Sequence, residues 1–227
     1  RTRYKMDILY IDEFIAVINK PSGLLSVPVP GKRTRTAQES LEQFMRKSGR
    51  YKANHRPAAV HRLDRDTSGV MMFALTKPIQ KQIMDNWKKV VTQRIYHAVC
   101  ENPKNSKQIA PEGVIDSPLA FNKYNVAYVP KPSEKKETVS AITNYKILKQ
   151  GRNFTLFELE LDTGRKNQIR AHLSSIGYTI CGDVNYRAKT NKFGRLALHA
   201  RVLEFIHPVT KEKLRFEIPE NESWSKI

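Results

Sequence analysis

The chain has 227 residues, of which 40% are hydrophobic and 27% charged, a composition that excludes a disordered or fibrous protein. No apolar run approaches the roughly 18 residues that cross a bilayer, and no signal peptide pattern is present. Forty Lys and Arg against 22 Asp and Glu give a net charge of +18. Because such an excess attracts polyanions, we expect nucleic acid as the partner.

The sequence of the first part of the chain predicts both strands and helices. β-branched runs on either side of Asp12-Glu13 indicate two strands joined by a tight turn. Helical spacing of apolar residues, and a continuous apolar run, define the next elements. The predicted elements are strands at Ile8–Tyr10 and Ile15–Asn19, a helix at Thr36–Lys47, a strand at Val70–Leu75 and a helix at Pro78–Lys88.

The second part begins with a strand at Arg94–Cys100 and continues with Asn102–Lys136, which is rich in Pro, Asn, Lys and Ser and predicts a long irregular segment with RNA-contacting loops. Asp162 and Thr163 are predicted to cap a helix that ends near Gly177. The remaining predicted strands are Thr138–Lys149, Asn153–Leu161, Leu196–Ile206 and Lys213–Ile218.

These elements predict the fold class α/β of the α+β type, with a mixed, largely antiparallel sheet flanked by helices and loops around a central catalytic cleft. We expect a single catalytic domain over residues 1–227. The chain begins at Arg1 and not at Met, which fits a fragment that lacks an N-terminal RNA-binding module.

One stretch concentrates charged side chains, namely His61-Arg62-Leu63-Asp64-Arg65-Asp66-Thr67-Ser68-Gly69. Its cationic neighbours favour an ionised Asp64 that can act as a nucleophile or base. Taken alone, the composition of the stretch favours Asp64 or Asp66 as an ordinary turn or cap residue.

The stretch resembles the HRLDxxTSG signature of the RluA family of pseudouridine synthases and matches it at every specified position. Further matches follow in the family's order along the chain. They are Asn19-Lys20-Pro21-Ser22-Gly23, Arg94-Ile95-Tyr96-His97-Ala98, Gly164-Arg165-Lys166-Asn167-Gln168-Ile169-Arg170-Ala171-His172, Gly182-Asp183 with Tyr186, and Leu198-His199-Ala200.

The resemblance implies that Asp64 is the catalytic carboxylate, that Tyr96 packs on the target base, and that Arg170 pairs with Asp64. An aromatic face recovers part of the stacking energy that a flipped base loses. Tyr96 is also the candidate for accepting the C5 proton. Arg62 is expected to help open the RNA and fill the vacated stack. The other expected RNA-binding residues are His61, Arg65, Arg165 and Asn167.

One position departs from the family pattern, because most relatives have His where this chain has Asn167. Imidazole acid/base chemistry is therefore not expected there, whereas an amide can still support a structural or RNA-positioning task.

The predicted function is isomerisation of uridine to pseudouridine in rRNA or tRNA. Two alternatives stay open: a catalytically silent RNA-binding domain, and a hydrolase that uses Asp64 with Asp66 as a carboxylate pair or metal ligands. The isomerisation needs no cofactor and no metal. Cys100 and Cys181 do not form a CxxC motif, which argues against a structural zinc site and indicates the cytoplasm. We expect a monomer that binds RNA and not membrane.

Overall fold

A computed structural model describes residues 6–31, 33–104 and 109–227. The chain forms two compact units: unit 1 comprises residues up to Arg94 together with Ala200–Ile218, and unit 2 comprises Ile95–His199 together with Pro219–Ile227. The strands are β1 (Asp7–Ile11), β2 (Ile15–Lys20), β3 (Ala58–Ala59), β4 (Ser68–Ala74), β5 (Val91–Glu101), β6 (Glu112–Asp116), β7 (Ala120–Phe121), β8 (Ala127–Tyr128), β9 (Ile142–Gln150), β10 (Phe154–Leu161), β11 (Leu198–Ile206) and β12 (Lys213–Glu217). The α-helices are α1 (Ala37–Lys47), α2 (Lys77–Asp85), α3 (Trp87–Val90) and α4 (Gln168–Ser175), and short 3₁₀ helices cover Val184–Tyr186 and Glu222–Ser225.

In unit 1, the sheet is centred on β4, whose residues are all buried. β4 pairs antiparallel with β2 and with the short β3, and it also neighbours β11, which pairs antiparallel with β12. A cluster of buried aliphatic and aromatic side chains from β2, β4, α2 and β11 forms the core. The continuous apolar run of the sequence is therefore a central strand, as predicted.

The turn between β1 and β2 is built on Asp12. Its Oδ1 accepts hydrogen bonds from the backbone N–H groups of Phe14 at 2.7 Å and Ile15 at 2.8 Å. The carboxylate also accepts hydrogen bonds from the hydroxyl of Tyr10 at 2.8 Å and from Nε2 of the buried His207 at 2.7 Å. The predicted turn at Asp12-Glu13 is confirmed.

In unit 2, antiparallel strands run in the order β5, β10, β9 and β6. β10 follows β9 through a short turn at residues 151–153 and buries Thr155, Phe157 and Leu159 on one face. α4 contacts β9 and β8. The architecture is α+β with a largely antiparallel arrangement of strands, which confirms the predicted class.

Three predictions of secondary structure are wrong. The stretch Asn102–Lys136 is not irregular throughout, because it contains β6 and the β7–β8 hairpin. The predicted helix at Pro78–Lys88 is divided at Asn86 into α2 and α3. Asp162 and Thr163 do not cap α4: the helix begins at Gln168 after Asn167, and the hydroxyl of Thr163 instead donates to the side chain of Gln168.

Among the described residues, no helix is both long and apolar enough to cross a membrane. Residues 105–108, which belong to the predicted irregular segment, lie outside the described residues.

Candidate active site

Asp64 lies in unit 1 on the loop that leads directly into β4, as the sequence predicted. The backbone N–H of Thr67 donates to the carbonyl oxygen of Asp64 at 3.1 Å, which closes a tight turn across Arg65 and Asp66. Asp64 itself is partly exposed, between the buried residues Leu63 and Thr67. The carboxylate therefore stands at the rim of the core on a short, closed turn.

Lys20 fixes this turn from the segment Asn19–Gly23. Its side chain is fully buried, and its Nζ donates to the carbonyl oxygens of Pro21 at 3.0 Å, Leu24 at 2.7 Å and Arg65 at 2.9 Å. A buried ammonium group must be matched by acceptors, and three backbone carbonyls supply them here. The Lys-Pro-Ser-Gly segment therefore holds the residue next to Asp64.

Two serines and a glycine add to this hold. The hydroxyl of Ser22 donates to the carbonyl of Asp66 at 2.7 Å, and the N–H of Gly23 donates to the carbonyl of Arg65 at 2.9 Å. The hydroxyl of Ser26 donates to the carbonyl of Leu63 at 2.6 Å and accepts from the N–H of the same residue at 3.1 Å. Hydrogen bonds from residues 20–26 thus reach residues on both sides of Asp64.

His61 faces the interior of unit 1. Its Nε2 accepts a hydrogen bond from the N–H of Met72 in β4 at 2.9 Å, and its ring packs against Trp87 with the centroids 5.4 Å apart. Burial, assisted by the positive charge of Arg94, lowers the pKa of His61 to about 3. The imidazole is therefore neutral at neutral pH and adds no charge beside Asp64.

The two arginines of the signature are exposed. Arg65 forms two hydrogen bonds with Asp66, from Nε to Oδ1 at 3.0 Å and from Nη2 to Oδ2 at 3.1 Å. Since both side chains are largely exposed, this pair adds little to stability. It does engage the carboxylate of Asp66, whereas Arg62 extends into solvent from the same loop.

Gly69, the last residue of the signature, is required by packing. Its φ is +121°, and a Cβ placed there would lie 2.1 Å from the carbonyl oxygen of Ala200. Any side chain at this position would collide with the backbone of β11. The glycine thus serves the close approach of two strands, not the chemistry of Asp64.

Tyr96 lies in unit 2 on β5, where it pairs with Leu159 of β10, and it is 8% exposed. The next residue, His97, is held between two carboxylates, with Nδ1 2.8 Å from Glu220 and Nε2 3.3 Å from Glu158. Successive side chains of a strand point to opposite faces, so these contacts secure β5 from the face opposite Tyr96.

Arg170 projects from α4 and is buried with Asp183. Its Nε donates to Oδ2 of Asp183 at 2.7 Å and its Nη2 to Oδ1 at 2.8 Å, which is a bidentate pair. The guanidinium carbon also lies 5.3 Å from the ring centroid of Tyr186. Asp183 and Tyr186 belong to matched family segments, but their contact with Arg170 cannot be predicted from the motifs.

Two further residues of the same family segment anchor α4 to β9. The amide of Gln168 donates to the carbonyl of Ile142 and to the hydroxyl of Thr143, both at 2.9 Å. That hydroxyl lies 2.8 Å from Nδ1 of His172, whose Nε2 lies 2.9 Å from the carbonyl of Ser117. Burial lowers the pKa of His172, which fits a neutral ring that donates from Nε2 and accepts at Nδ1.

Asn167 and Arg165 lie at the beginning of α4. Asn167 is buried and adopts a left-handed backbone conformation with φ +54° and ψ +19°. Arg165 is exposed; its backbone N–H donates to the side chain of Gln168, and its Nε donates to the carbonyl of Ser140 at 3.0 Å. The structure thus brings Arg165, Asn167 and Arg170 together in unit 2.

His61, Arg62, Asp64 and Arg65 share one loop of unit 1. The pairing of Asp64 with Arg170, and the use of Tyr96 on the target base, stay predictions. No group of three or more His, Cys, Asp or Glu side chains within residues 6–31, 33–104 and 109–227 is arranged to hold a metal ion.

Comparison with known proteins agrees with these motifs. The family model described as RNA pseudouridylate synthase matches residues 14–175. The chain is 34% identical to the uncharacterized RNA pseudouridine synthase YlyB of Bacillus subtilis over 98% of this chain and 71% of that protein.

The chain belongs to the RluA-type RNA pseudouridine synthases. These enzymes are isomerases. Other relatives in the family include the ribosomal large subunit pseudouridine synthase D of Zymomonas mobilis, 32% identical over 93% of this chain and 68% of that protein. The tRNA pseudouridine synthase C of Vibrio parahaemolyticus is 30% identical over 98% of this chain and 94% of that protein.

Solved structures share the fold. Human RNA pseudouridylate synthase domain containing 4 superimposes with a TM-score of 0.74 at 24% identity, covering 96% of this chain and 90% of the human chain. The pseudouridine synthase fold of the chain is thereby supported independently of its sequence motifs.

Sequence reasoning missed Lys20 and Asp183 as site residues. Both stand in matched family segments, which was the available signal. Their tasks depend on partners distant in sequence, namely Arg65 for Lys20 and Arg170 for Asp183.

Proposed function

We propose that this protein converts uridine to pseudouridine in rRNA or tRNA, with Asp64 as the catalytic carboxylate. The observation that carries the proposal is the complete signature around Asp64, on a loop that Lys20, Ser22 and Ser26 hold through backbone hydrogen bonds. Catalysis benefits when a reactive group is fixed in advance, because little ordering is then left for the reaction.

The reaction breaks the bond between ribose C1′ and uracil N1, turns the base, and joins C1′ to C5. The C5 proton leaves and N1 gains a proton, so there is no net oxidation or group transfer. Asp64 can start this exchange by attack at C1′ or by removing a proton from C2′. The chemistry requires neither an organic cofactor nor a metal.

Tyr96 and Arg170 have supporting roles in the proposal. Tyr96 packs on the uracil ring and is the candidate acceptor of the C5 proton, and Arg170 pairs with Asp64. The bidentate bond to Asp183 supports this assignment because it fixes the orientation of the guanidinium group. Together the two units act as one catalytic domain in this scheme.

Relatives named for rRNA and for tRNA support an RNA substrate of one of these two kinds. The net charge of +18 supports binding to phosphates. The RNA-binding residues in this proposal are Arg62, His61, Arg65, Arg165 and Asn167. A cytoplasmic location is part of the proposal, and action on these RNAs fits it.

The decisive experiment replaces Asp64 by Asn and measures tritium release from RNA labelled at uridine C5, beside an RNA binding assay. Isomerisation is expected to fall below a few percent of the wild-type rate while RNA affinity stays within a few fold. The substitution removes the reactive charge and leaves the shape nearly unchanged. Sequencing-based mapping of pseudouridine in cells with and without the gene identifies which RNA is the substrate.

Asp66→Asn is the matched control, because it removes a carboxylate two residues away that Arg65 engages on the surface. Its effect is expected to be mild. Equal loss in both variants would instead support a paired-carboxylate hydrolase, and free uracil among the products would confirm that outcome. Binding without any turnover by the wild type would identify a silent RNA-binding domain.

A further inference from the structure

The β7–β8 hairpin of unit 2 ends in an ordered tip, defined here as residues 122–126. Oδ1 of Asn122 accepts hydrogen bonds from the N–H of Tyr124 at 2.9 Å and of Val126 at 3.1 Å. The N–H of Asn122 donates to the carbonyl of Val126 at 3.0 Å, and Asn125 takes a left-handed conformation with φ +58°. Asparagine tolerates that conformation better than most residues. The tip is therefore fixed by its own hydrogen bonds.

This tip presents an aromatic side chain to solvent. Tyr124 is 74% exposed, whereas the exposed rings of Phe44 and Phe121 are 41% and 40% exposed. Nζ of Lys123 lies 5.0 Å from the ring centroid of Tyr124. A ring with a cation at its side is the arrangement that proteins use to stack nucleobases while attracting the adjoining phosphate.

The base of the hairpin is attached to the Arg170 site. Ala127 of β8 packs in a buried cluster with Ala171 of α4 and with Leu119 and Ala141. The hydroxyl of Tyr186 donates to the carbonyl of Ala127 at 2.5 Å, and the ring of Tyr186 lies beside the guanidinium of Arg170. The tip is thus carried by the same set of residues that orients Arg170.

We propose that Tyr124 stacks on an unpaired base of the RNA substrate, outside the uridine that is isomerised. The proposal rests on the proposed function for the identity of the ligand. Charge favours RNA over a protein partner, because Lys123 stands at the ring in a chain of net charge +18. The exposed segment after the hairpin is also net positive, with Lys131, Lys135 and Lys136 against Glu134 and Glu137. An unpaired base is required because a paired base inside a duplex has both faces covered.

The test measures binding of a short fluorescent oligouridylate and of an RNA duplex of equal length to wild type, Tyr124→Phe and Tyr124→Ala. Tyr124→Ala is expected to bind the single strand about tenfold more weakly, whereas Tyr124→Phe retains wild-type affinity because it keeps the ring. Duplex affinity should change little in both variants. The matched control is Phe44→Ala, which removes an exposed aromatic side chain from α1 of unit 1.

Unchanged single-strand binding by Tyr124→Ala would overturn the inference, as would an equal loss in Phe44→Ala. A loss that appears only when ribosomal proteins accompany the RNA would also overturn it, in favour of a protein contact. Thermal unfolding confirms that the variants are folded. The proposed function is judged separately, because absence of tritium release in the wild type would refute isomerisation without altering the binding comparison.

Discussion

Asn167 occupies a backbone conformation that few residue types adopt readily. Its φ of +54° lies in the left-handed region, in which Asn and His are both enriched among residues other than glycine. The family resemblance expects His at this position. Both residues therefore meet the demand of the backbone, which gives a structural reason for the substitution that does not involve imidazole chemistry.

This explanation predicts how position 167 responds to substitution. Asn167→His and Asn167→Gly should unfold at nearly the wild-type denaturant concentration, because both residues accept a positive φ. Asn167→Val should lose roughly 1–2 kcal/mol of unfolding free energy, since a left-handed conformation costs about that much for an ordinary side chain. Urea unfolding of the three variants makes the comparison. If Val proved as stable as His, backbone conformation could not explain the choice of residue.

Among the elements, the turn that carries Asp64 depends most on a segment far from it in sequence. Lys20 reaches across 45 positions to the carbonyl of Arg65. Lys20→Met keeps much of the apolar stem but removes the ammonium donor from the carbonyls of Pro21 and Leu24. The carbonyl of Arg65 loses one of its two donors and keeps the N–H of Gly23. An unsatisfied buried acceptor costs about 1–3 kcal/mol, so the variant should lose roughly 2 kcal/mol or more of unfolding free energy.

Lys77→Met serves as the control for Lys20→Met, because Lys77 is exposed at the beginning of α2. It should unfold at nearly the wild-type urea concentration. Equal destabilisation by both substitutions would show that the loss of a lysine charge, and not the loss of the three hydrogen bonds, sets the stability.

The elements that the sequence predicted well are those whose local signals agree with their packing. α1 has a capping box between Thr36 and Glu39 and a buried apolar stripe, and β4 is continuously apolar. The two-residue strands β7 and β8 lack such signals. They pair with each other, and β8 packs against α4, so their formation depends on tertiary contacts. The beginning of α4 was misplaced for a similar reason, since Thr163 binds the Gln168 side chain instead of capping the helix.

For the candidate site, too, some properties could be predicted from the sequence and others depend on packing. The roles of Asp64, Tyr96 and Arg170 are implied by the resemblance of the motifs to the family, and they stay predictions. The buried pair of Arg170 with Asp183 spans 13 positions and the neutral state of His61 depends on burial. Neither property can be read from spacing, since both arise only when distant segments pack together.

At the scale of the whole molecule, the net charge of +18 coexists with two histidines, His61 and His172, whose pKa is lowered in the folded chain. The folded-state pKa of His61 is about 3 against an ordinary 6.5, and burial also lowers the pKa of His172. Between these two values the unfolded chain binds protons that the folded chain does not bind. The contribution of these histidines to stability is therefore fully present above pH 6.5 and is lost as the pH falls toward 3.

We expect the unfolding free energy to decrease on acidification below pH 6.5, by up to about 1.4 kcal/mol per pH unit for each histidine kept neutral. Urea titrations from neutral pH down to mildly acidic pH measure this slope. His61→Gln should show a shallower pH dependence, because it removes one such group. An identical slope in wild type and variant would mean that His61 takes up its proton without unfolding.

Any side chain at Gly69 would collide with the backbone of Ala200. Gly69 and Asp64 therefore stand under different evolutionary constraints within one signature, because the glycine is needed for packing and the aspartate is proposed for the chemistry. A descendant that exchanged Asp64 could keep its architecture and persist as an RNA chaperone or scaffold. A descendant that exchanged Gly69 would lose the close contact between β4 and β11 first. In genome surveys, a signature that retains the glycine but not the aspartate would therefore mark a folded pseudoenzyme, whereas loss of the glycine would mark a decaying gene.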